Sequence, residues 1–296
     1  MTLRTLLTRW TLTTALGSAP IPAMSLAMSL AIGLCAALQP AAASAEELVV
    51  PGSGNPEQVL RVLAEAFHRS QTAHRIVVPV STGSAGALRA IDEGTALLGR
   101  IGRPLTADER ARGLVFVPIG RDPVAFVGGA GVTLAGLTRA QVMAIYAGKY
   151  ANWRELGGQP GPIRAIGRES TDTSRQAIQR VIEPFATIAF GENVKVVHLD
   201  PQMLDLLDRF PGSLGFINRS ALAATRTRLV PLALDGVEPT PQNVGAGRYP
   251  VWLEFGFVHR RGMRSPAAEA FIAFVGSSEG VRLLRELGVL AAPGAR

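Results

Sequence analysis

Apolar positions along the chain alternate between short continuous runs and longer runs with a helical period. The apolar run at 48–51 predicts a short strand, which stops at the glycine- and serine-containing segment 52–56. A helix is predicted from Pro56, because the apolar residues that follow share one helical face: Val59, Leu60, Leu63 and Phe67. This alternation of strand and helix recurs to the end of the chain.

The same pattern predicts the remaining elements. Further strands are expected at 75–80, 115–119, 124–128, 163–167, 194–198, 212–218 and 251–259, with Arg121-Asp122 as the break between 115–119 and 124–128. Further helices are expected after the segment 81–86 with Gly94 closing it, from Thr138 to Ala147, from the segment 168–174 to Ile182, at 265–275 and at 278–287, with a short helical turn at 152–156. Strands that alternate with helices favour an α/β architecture with mostly parallel sheets.

The first 45 residues have the pattern of a secretory leader. Arg4 and Arg9 give a positive start, an apolar stretch covers 23–38, and no acidic residue precedes Glu46. Small residues at 43 and 45 fit an A-x-A cleavage site. We therefore predict a signal peptide at 1–45, cleaved near Ala45, and a periplasmic or secreted mature protein.

The composition and charge of the chain argue against some classes of partner and site. The 296 residues include 30 lysines and arginines, of which only Lys149 and Lys195 are lysine, and the formal net charge is +7. Nucleic acid is not expected as a partner, because no long basic run occurs and acidic residues interleave with the arginines. The chain has a single cysteine, Cys35, and this count excludes a disulfide framework and a thiolate metal site. Cys35 lies in the predicted leader.

Three strand-to-helix junctions combine glycine, hydroxyl and amide residues. A helix N-terminus offers unpaired backbone N–H groups and a partial positive charge, and a hydroxyl adds a donor, so such junctions bind anions. Each junction taken alone also fits an ordinary helix cap. The candidate ligand-binding residues are Ser53, Gly54, Asn55, Thr82, Gly83, Ser84, Arg168, Asp172, Thr173 and Ser174.

Several segments resemble one family. The segment 83–91 (GSAGALRAI) resembles the second anion loop of periplasmic phosphate-binding proteins of ABC importers, the PstS type. The segment 137–153, with Ile145-Tyr146 and Trp153, is similar to another stretch of that family, as are 166–169, 212–216 and the tail from Tyr249 to Gly280. The resemblance runs from about Leu48 to Leu290.

This resemblance implies a two-lobed, type II periplasmic-binding-protein (Venus-flytrap) fold with two mixed sheets flanked by helices. It places residues 46–122 and 250–296 in a first lobe and 123–249 in a second lobe, with crossing strands near Arg121-Asp122 and Tyr249-Pro250. The anion would lie between the lobes. Position by position, Ser84 matches the family's serine ligand and Arg168 its arginine. Ser53 and Asn55 fall in its first loop, and 172–174 stands where the family has Ser-Gly-Thr.

The chain departs from the family at two places. The family has an acidic residue in a first-lobe loop that accepts the proton of hydrogen phosphate, whereas the segment 99–104 here has none. Asp172 adds a negative charge beside the expected anion, which is unfavourable unless it is protonated or turned to Arg168 or Arg175. Two roles for Asp172 remain open: it accepts the proton in place of the missing acid, or it caps its own helix.

Enzyme classes find little support. The segment 83–86 lacks the spacing of a Gly-x-Ser-x-Gly elbow, and Met143 stands where a P-loop before Gly148-Lys149 needs glycine. The histidines are not spaced as metal ligands: His68, His74, His198 and His259. Neither a metal nor a cofactor is expected.

Four other residues have competing interpretations. Tyr146 and Trp153 are interpreted as core residues, with ligand contact as the alternative. Arg103 and Arg121 are interpreted as surface or lobe-edge charges, again with ligand contact as the alternative.

The function predicted from the sequence is that of an extracytoplasmic solute-binding protein. It captures phosphate or a related oxyanion and delivers it to the membrane permease of an ABC importer, closing its lobes on the ligand. The alternative is a secreted anion-sensing or accessory binding module without a transport role. A hydrolase on the same fold is the third possibility, but no nucleophile–base pair supports it.

Overall fold

The strand and helix alternation is present in the computed structural model, which describes residues 46–225 and 229–293. The predicted signal peptide lies outside the described residues. The strands are β1 (Glu46–Val49), β2 (His74–Val77), β3 (Gly99–Ile101), β4 (Leu114–Gly128), β5 (Gly136–Leu137), β6 (Arg164–Arg168), β7 (Lys195–Val197), β8 (Ser213–Asn218), β9 (Val230–Leu234), β10 (Trp252–Arg260) and β11 (Leu290–Ala291).

Helices follow most of these strands. They are α1 (Glu57–Ser70), α2 (Gly83–Asp92), α3 (Ala107–Ala111), α4 (Arg139–Tyr146), α5 (Thr173–Val181), α6 (Asp200–Arg209), α7 (Arg219–Thr225), α8 (Pro241–Gly245), α9 (Pro266–Val275) and α10 (Ser278–Glu286), with short 3-10 turns at Trp153–Leu156 and Glu183–Ala186. The helix expected from Pro56 is α1, and Val59, Leu60, Leu63 and Phe67 are all buried. No helix in the described ranges is long and apolar enough to cross a membrane.

The strands form two sheets. β1 and β2 pair in parallel, and the larger sheet has nine strands in the order β3-β10-β4-β8-β6-β7, with β9 and β11 on β4 and β5 on β9. The expectation of mostly parallel pairing is wrong around β4, which pairs antiparallel with β8, β9, β10 and β11. Antiparallel neighbours need no crossover helix between them, so these pairings are not limited to a β-α-β connection.

The expected break at Arg121-Asp122 is also wrong, because β4 is one strand of 15 residues. Arg121 pairs with Glu254 and Asp122 with Leu253 in the ladder with β10. Arg121 is exposed while Asp122 is fully buried, so the two charges face opposite sides of a continuous strand. A charged dipeptide therefore lies inside a strand rather than in a turn.

The two aromatic residues of uncertain role belong to the core. Tyr146 is fully buried and donates a 2.9 Å hydrogen bond from its hydroxyl to the carbonyl of Ile166. Trp153 is 2% exposed, and its indole N–H donates to the carbonyl of Gly212 at 2.9 Å. Buried Tyr and Trp need such partners for their polar ends. The core interpretation of both residues is confirmed.

Candidate functional site

The three predicted anion loops meet at one cavity of about 590 Å³. Every candidate ligand-binding residue except Ser174 lines it. The residues that line it are Ser53, Gly54, Asn55, Ser81, Thr82, Gly83, Ser84, Ala85, Arg103, Arg168, Glu169, Thr171, Asp172, Thr173, Gln176, His198 and Leu199. The cavity is thus built from segments that are more than 100 residues apart in the sequence.

The first loop precedes α1 and places Ser53 and Asn55 at the cavity wall. Both residues are buried, at 3% and 4% exposure, and Ser53 Oγ donates to Asn55 Oδ1 at 3.3 Å. Pro56 occupies the N-cap position of α1 and supplies no side-chain cap. The N-terminal end of α1 is therefore left for another acceptor.

The second loop precedes α2 and is more exposed to solvent than the first loop. Gly83 has φ +73°, a conformation that favours glycine, and the N-cap residue Thr82 makes no side-chain cap. Ser84 Oγ accepts a 3.3 Å hydrogen bond from the backbone N–H of Gly102. A second helix N-terminus thus faces the cavity without a cap from its N-cap residue, although the Gly83 N–H donates to Ser81 Oγ at 3.2 Å.

The third loop precedes α5, and here a side chain does cap the helix. Asp172 Oδ1 accepts a 2.9 Å hydrogen bond from the Arg175 N–H, which confirms the capping interpretation of Asp172. Asp172 Oδ2 also lies 2.8 Å from Arg168 Nη2, so the carboxylate is turned to that arginine. Burial raises the pKa of Asp172, Arg168 opposes this, and Asp200 adds to it.

Arg168 lies between two carboxylates. Its side chain is 6% exposed, pairs with Asp172 and Asp200, and donates from Nη2 to the His198 carbonyl at 2.9 Å. Burial acts to lower the pKa of Arg168, but the two aspartates outweigh it and raise the pKa. Its Nε is buried and has no hydrogen-bond partner in the protein. Arg168 therefore keeps one unpartnered but buried donor, and its charge is outweighed by two carboxylates.

Sequence reasoning missed Asp200, which holds Arg168 from the side opposite Asp172. Asp200 opens α6, an element that was also missed, and is 7% exposed. An Asp-Pro pair directly after a strand is a helix-start signal and could have located α6. Its pairing with Arg168, 32 residues away, had no signal in the sequence.

Asn55 joins the first loop to the third. Its Nδ2 donates to Ser174 Oγ at 2.6 Å, and its Oδ1 accepts from the Thr173 hydroxyl. Ser174 is 2% exposed and lies behind the cavity wall rather than in it. The structure thus brings Ser174 to the site through Asn55.

Asn218 at the end of β8 was missed as well. Its Nδ2 lies 2.9 Å from the Asn55 carbonyl and 2.8 Å from Asp122 Oδ2. Asp122 also accepts hydrogen bonds from the N–H and the hydroxyl of Ser220. Because all four residues are buried, this network ties the first loop to the middle of β4.

The two arginines of uncertain role differ in position. Arg103 lines the cavity but is held by Glu109 in a bidentate pair at 2.8 and 2.7 Å. That hydrogen bonding lowers the pKa of Glu109 to about 2. Arg121 lies outside the cavity lining, stacks on Trp252 at 4.5 Å and is 3.7 Å from Glu254. Arg121 is therefore a surface charge, as the first interpretation held.

The histidines are dispersed. His198, at the cavity wall, is exposed and places Nδ1 2.7 Å from Glu169 Oε2. His68 accepts a 2.8 Å hydrogen bond from the Ile76 N–H. In the part of the chain that the structure describes, no group of three or more His, Cys, Asp or Glu residues is arranged to hold a metal ion.

Comparison with known proteins defines the class. The model of the PBP superfamily domain matches residues 38–279, and the chain belongs to this superfamily. The phosphate-binding protein PstS of Bacillus subtilis (strain 168) is 25% identical over 243 residues, which cover 78% of this chain and 76% of that protein. A PstS of Borreliella burgdorferi is 22% identical over 194 residues, covering 64% of this chain and 70% of the relative.

Solved structures agree with this assignment. A candidate phosphate ABC transporter substrate-binding protein from Clostridium perfringens, solved with bound phosphate, has a TM-score of 0.73 and 26% identity, covering 84% of this chain and all of that one. An ABC-type phosphate transport receptor from Vibrio cholerae shares the fold, with a TM-score of 0.62 and 22% identity, covering 83% of this chain and all of that one. The predicted α/β, type II periplasmic-binding-protein fold is confirmed.

Proposed function

We propose that this protein is an extracytoplasmic solute-binding protein that captures phosphate, or a related oxyanion, for an ABC importer. The observation that carries the proposal is the convergence of three strand-to-helix loops and Arg168 on one cavity. Two of the three helix N-termini have no cap from the side chain of their N-cap residue. These donors and the hydroxyls around them match the many acceptor oxygens of a tetrahedral oxyanion.

The donor set, more than net charge, supports an oxyanion. The charge of Arg168 is outweighed by Asp172 and Asp200, and that of Arg103 is balanced by Glu109. Binding at micromolar strength corresponds to about 8 kcal/mol. Several charge-assisted hydrogen bonds, at about 1.5–3 kcal/mol each, supply it if the loops act together. A preformed site of this kind favours a small anion stripped of water.

The lobes follow from the same proposal. Residues 46–122 and 250–296 would form the first lobe and 123–249 the second, with the anion held between loops of both. Asn55 belongs to one set and Ser174 to the other, and their 2.6 Å hydrogen bond supports closure of one set on the other. Delivery would be to the membrane permease of the importer, after export directed by the signal peptide at 1–45.

The proposed role is binding without catalysis, since the cavity offers donors for an anion rather than a nucleophile activated by a base.

The proposed function is tested by calorimetric titration of the mature chain, residues 46–296, with phosphate, arsenate, sulfate and molybdate. We expect phosphate to bind with a dissociation constant in the micromolar range or below. If none of the four anions releases or absorbs binding heat or raises Tm, the anion-receptor function is wrong.

A further inference from the structure

We propose that Arg100 is a positioning residue of the anion site. From behind the first loop, it also gives the site a positive charge that no acidic residue fully compensates. This inference rests on the proposed function and deepens it. Arg100 does not line the cavity, and no signal in the sequence distinguished it from the other arginines. Its guanidinium is fully buried, at 0% exposure.

The Arg100 side chain fixes the carbonyls of the segments that lead into the first two loops. Its Nε donates to the Ser53 carbonyl at 2.8 Å and its Nη2 to the Pro79 carbonyl at 2.7 Å, while Nη1 donates to the Val50 carbonyl. A guanidinium is a rigid fork of donors, so these three carbonyls are held in one fixed arrangement. Few other side chains could bind all three.

This arrangement orients a cavity donor. In a trans peptide the C=O and N–H groups point in opposite directions. Because the Ser53 carbonyl points to Arg100, the N–H of Gly54 points away from Arg100. Ser53 and Gly54 both line the cavity, so this N–H is directed to the cavity side of the loop. Arg100 thereby presents a backbone donor to an anion that it does not touch.

The backbone of Arg100 reinforces the contact. Its N–H donates to the Pro51 carbonyl at 2.9 Å, and its carbonyl accepts from the Ser53 N–H at 3.0 Å. Gly52 lies so close that a Cβ there would be 1.9 Å from the Arg100 carbonyl oxygen. Residue 100 therefore clamps the first loop with both its main chain and its side chain.

The charge balance around Arg100 differs from that at the other arginines of the site. Arg168 faces two carboxylates and Arg103 is matched by Glu109. Arg100 and Arg61 share a single acid, Glu57, at 3.3 and 2.9 Å.

One positive charge therefore remains next to the first loop. Burial lowers the pKa of Arg100 to about 10, which leaves it protonated at neutral pH. Arg168 and Arg103 already face carboxylates, whereas this remaining charge lies behind Ser53, where it attracts an anion in the cavity.

The test compares three variants by calorimetric phosphate titration, with circular dichroism and Tm as folding controls. Arg100→Met removes the charge and the fork, and we expect phosphate affinity to fall about 100-fold or more. Arg100→Lys keeps the charge, and we expect it to bind at least tenfold more tightly than Arg100→Met at pH 7. Glu57→Gln leaves Arg100 in place and removes the balancing acid, so we expect phosphate to bind about threefold more tightly than to wild type.

Measuring phosphate affinity at several pH values separates the effect of the charge at residue 100 from the effect of its side-chain shape. A buried lysine has a lowered pKa, so the affinity of Arg100→Lys relative to wild type should fall as pH rises from 7 to 9. The ratio to wild type at each pH cancels the titration of phosphate itself. If Arg100→Met does not fold, Arg100→Lys and Glu57→Gln decide the question.

Two results would overturn the proposal. One is a folded Arg100→Met that binds phosphate within threefold of wild type. The other is a Glu57→Gln that binds no more tightly together with a ratio for Arg100→Lys that does not change with pH. Failure of wild type to bind any anion would instead remove the proposed function, and this inference with it.

Discussion

Asn55 Nδ2 donates a 2.6 Å hydrogen bond to Ser174 Oγ, 119 residues further along the chain. The bond joins the start of α1 to the start of α5, two helix ends that the sequence predicted as separate anion loops. Ser174 is 2% exposed and does not line the cavity. Its role is therefore to hold Asn55 rather than to meet the ligand.

We predict that Ser174→Ala and Ser84→Ala affect different properties. Ser174→Ala leaves the buried amide of Asn55 short of one acceptor, so the free energy of unfolding should fall by about 1–3 kcal/mol. Phosphate affinity should change less than threefold. Ser84→Ala removes a cavity hydroxyl, and affinity should fall about three- to tenfold with Tm nearly unchanged. Urea unfolding and calorimetry check both, and the reverse pattern would make Ser174 the direct ligand.

We predict that Arg168→Lys binds phosphate about 10- to 100-fold more weakly than wild type. A lysine keeps the charge between Asp172 and Asp200 but cannot make both pairs and still offer a donor to the anion. The matched control is Arg121→Lys, on the exposed arginine outside the cavity, which should bind within twofold of wild type. Equal affinities for the two variants would exclude Arg168 from the site.

We predict that Asp172→Asn lowers the preference for phosphate over sulfate. Hydrogen phosphate can donate its proton to a carboxylate, whereas sulfate has no proton and is repelled by it. Asparagine caps a helix as well as aspartate does, so α5 should persist. Sulfate affinity should therefore rise in the variant while phosphate affinity falls or stays level. Calorimetry with both anions checks this, and an unchanged ratio would leave Asp172 as a cap alone.

We predict that the stability of the protein falls as pH rises from about 4 to 7 because of Asp122. Complete burial raises the pKa of Asp122 to about 7, against the hydrogen bonds from Ser220 and Asn218, which act to lower it. The folded state thus holds a proton that the unfolded chain releases above its own lower pKa. This contribution is full below about pH 4 and lost as pH rises through 7, about 3 kcal/mol between pH 5 and pH 8.

The measurement for Asp122 is urea unfolding at pH 5 and pH 8. Asp122→Asn should reduce the decline of the free energy of unfolding between these two pH values, since asparagine does not titrate. Other titrating groups contribute equally to both proteins and cancel in the comparison. A decline of the same size in the variant would mean that Asp122 is ionised throughout.

We predict that Gly52→Ala disrupts the first loop. Gly52 has φ +142°, and a Cβ there would lie 1.9 Å from the Arg100 carbonyl oxygen. The free energy of unfolding should fall by more than about 2 kcal/mol and phosphate affinity should fall with it. Gly262→Ala is the control: φ is +79° and the space is open, so only about 1 kcal/mol of backbone strain is expected. Equal costs in the two variants would contradict the close contact at Gly52.

Local pattern was enough to predict what depends on nearby residues. The apolar face of α1, the cap of α4 by Thr138 and the helix closure at Gly94 all follow from spacing within one element. The convergence of the three loops followed from the family resemblance, because two of the loops follow β1 and β2 in the small sheet and the third follows β6 in the other sheet. The fold and the approximate position of the site could therefore be predicted from the sequence.

The partners of the buried charged residues, which are distant in the sequence, could not be predicted from it. The sequence places Asp122 in a break between two strands, since nothing near it in the sequence reveals that Asn218 and Ser220 accommodate its burial inside β4. Asp200 and Arg100 were missed for the same reason. A buried charge is recognised by the groups that fold against it, and those groups lie 21 to 98 residues away.

The continuity of β4 determines which part of the molecule opens last. Its residues 120 and 121 are paired with β10 on one side and β11 on the other, and its residues 126–128 with both β8 and β9. Amide hydrogens there should exchange with solvent only in the globally unfolded state. The segment 171–174 lies outside the strand ladders and should exchange sooner. Slow exchange in β4 would thus mark a rigid axis beside a third loop that opens more readily.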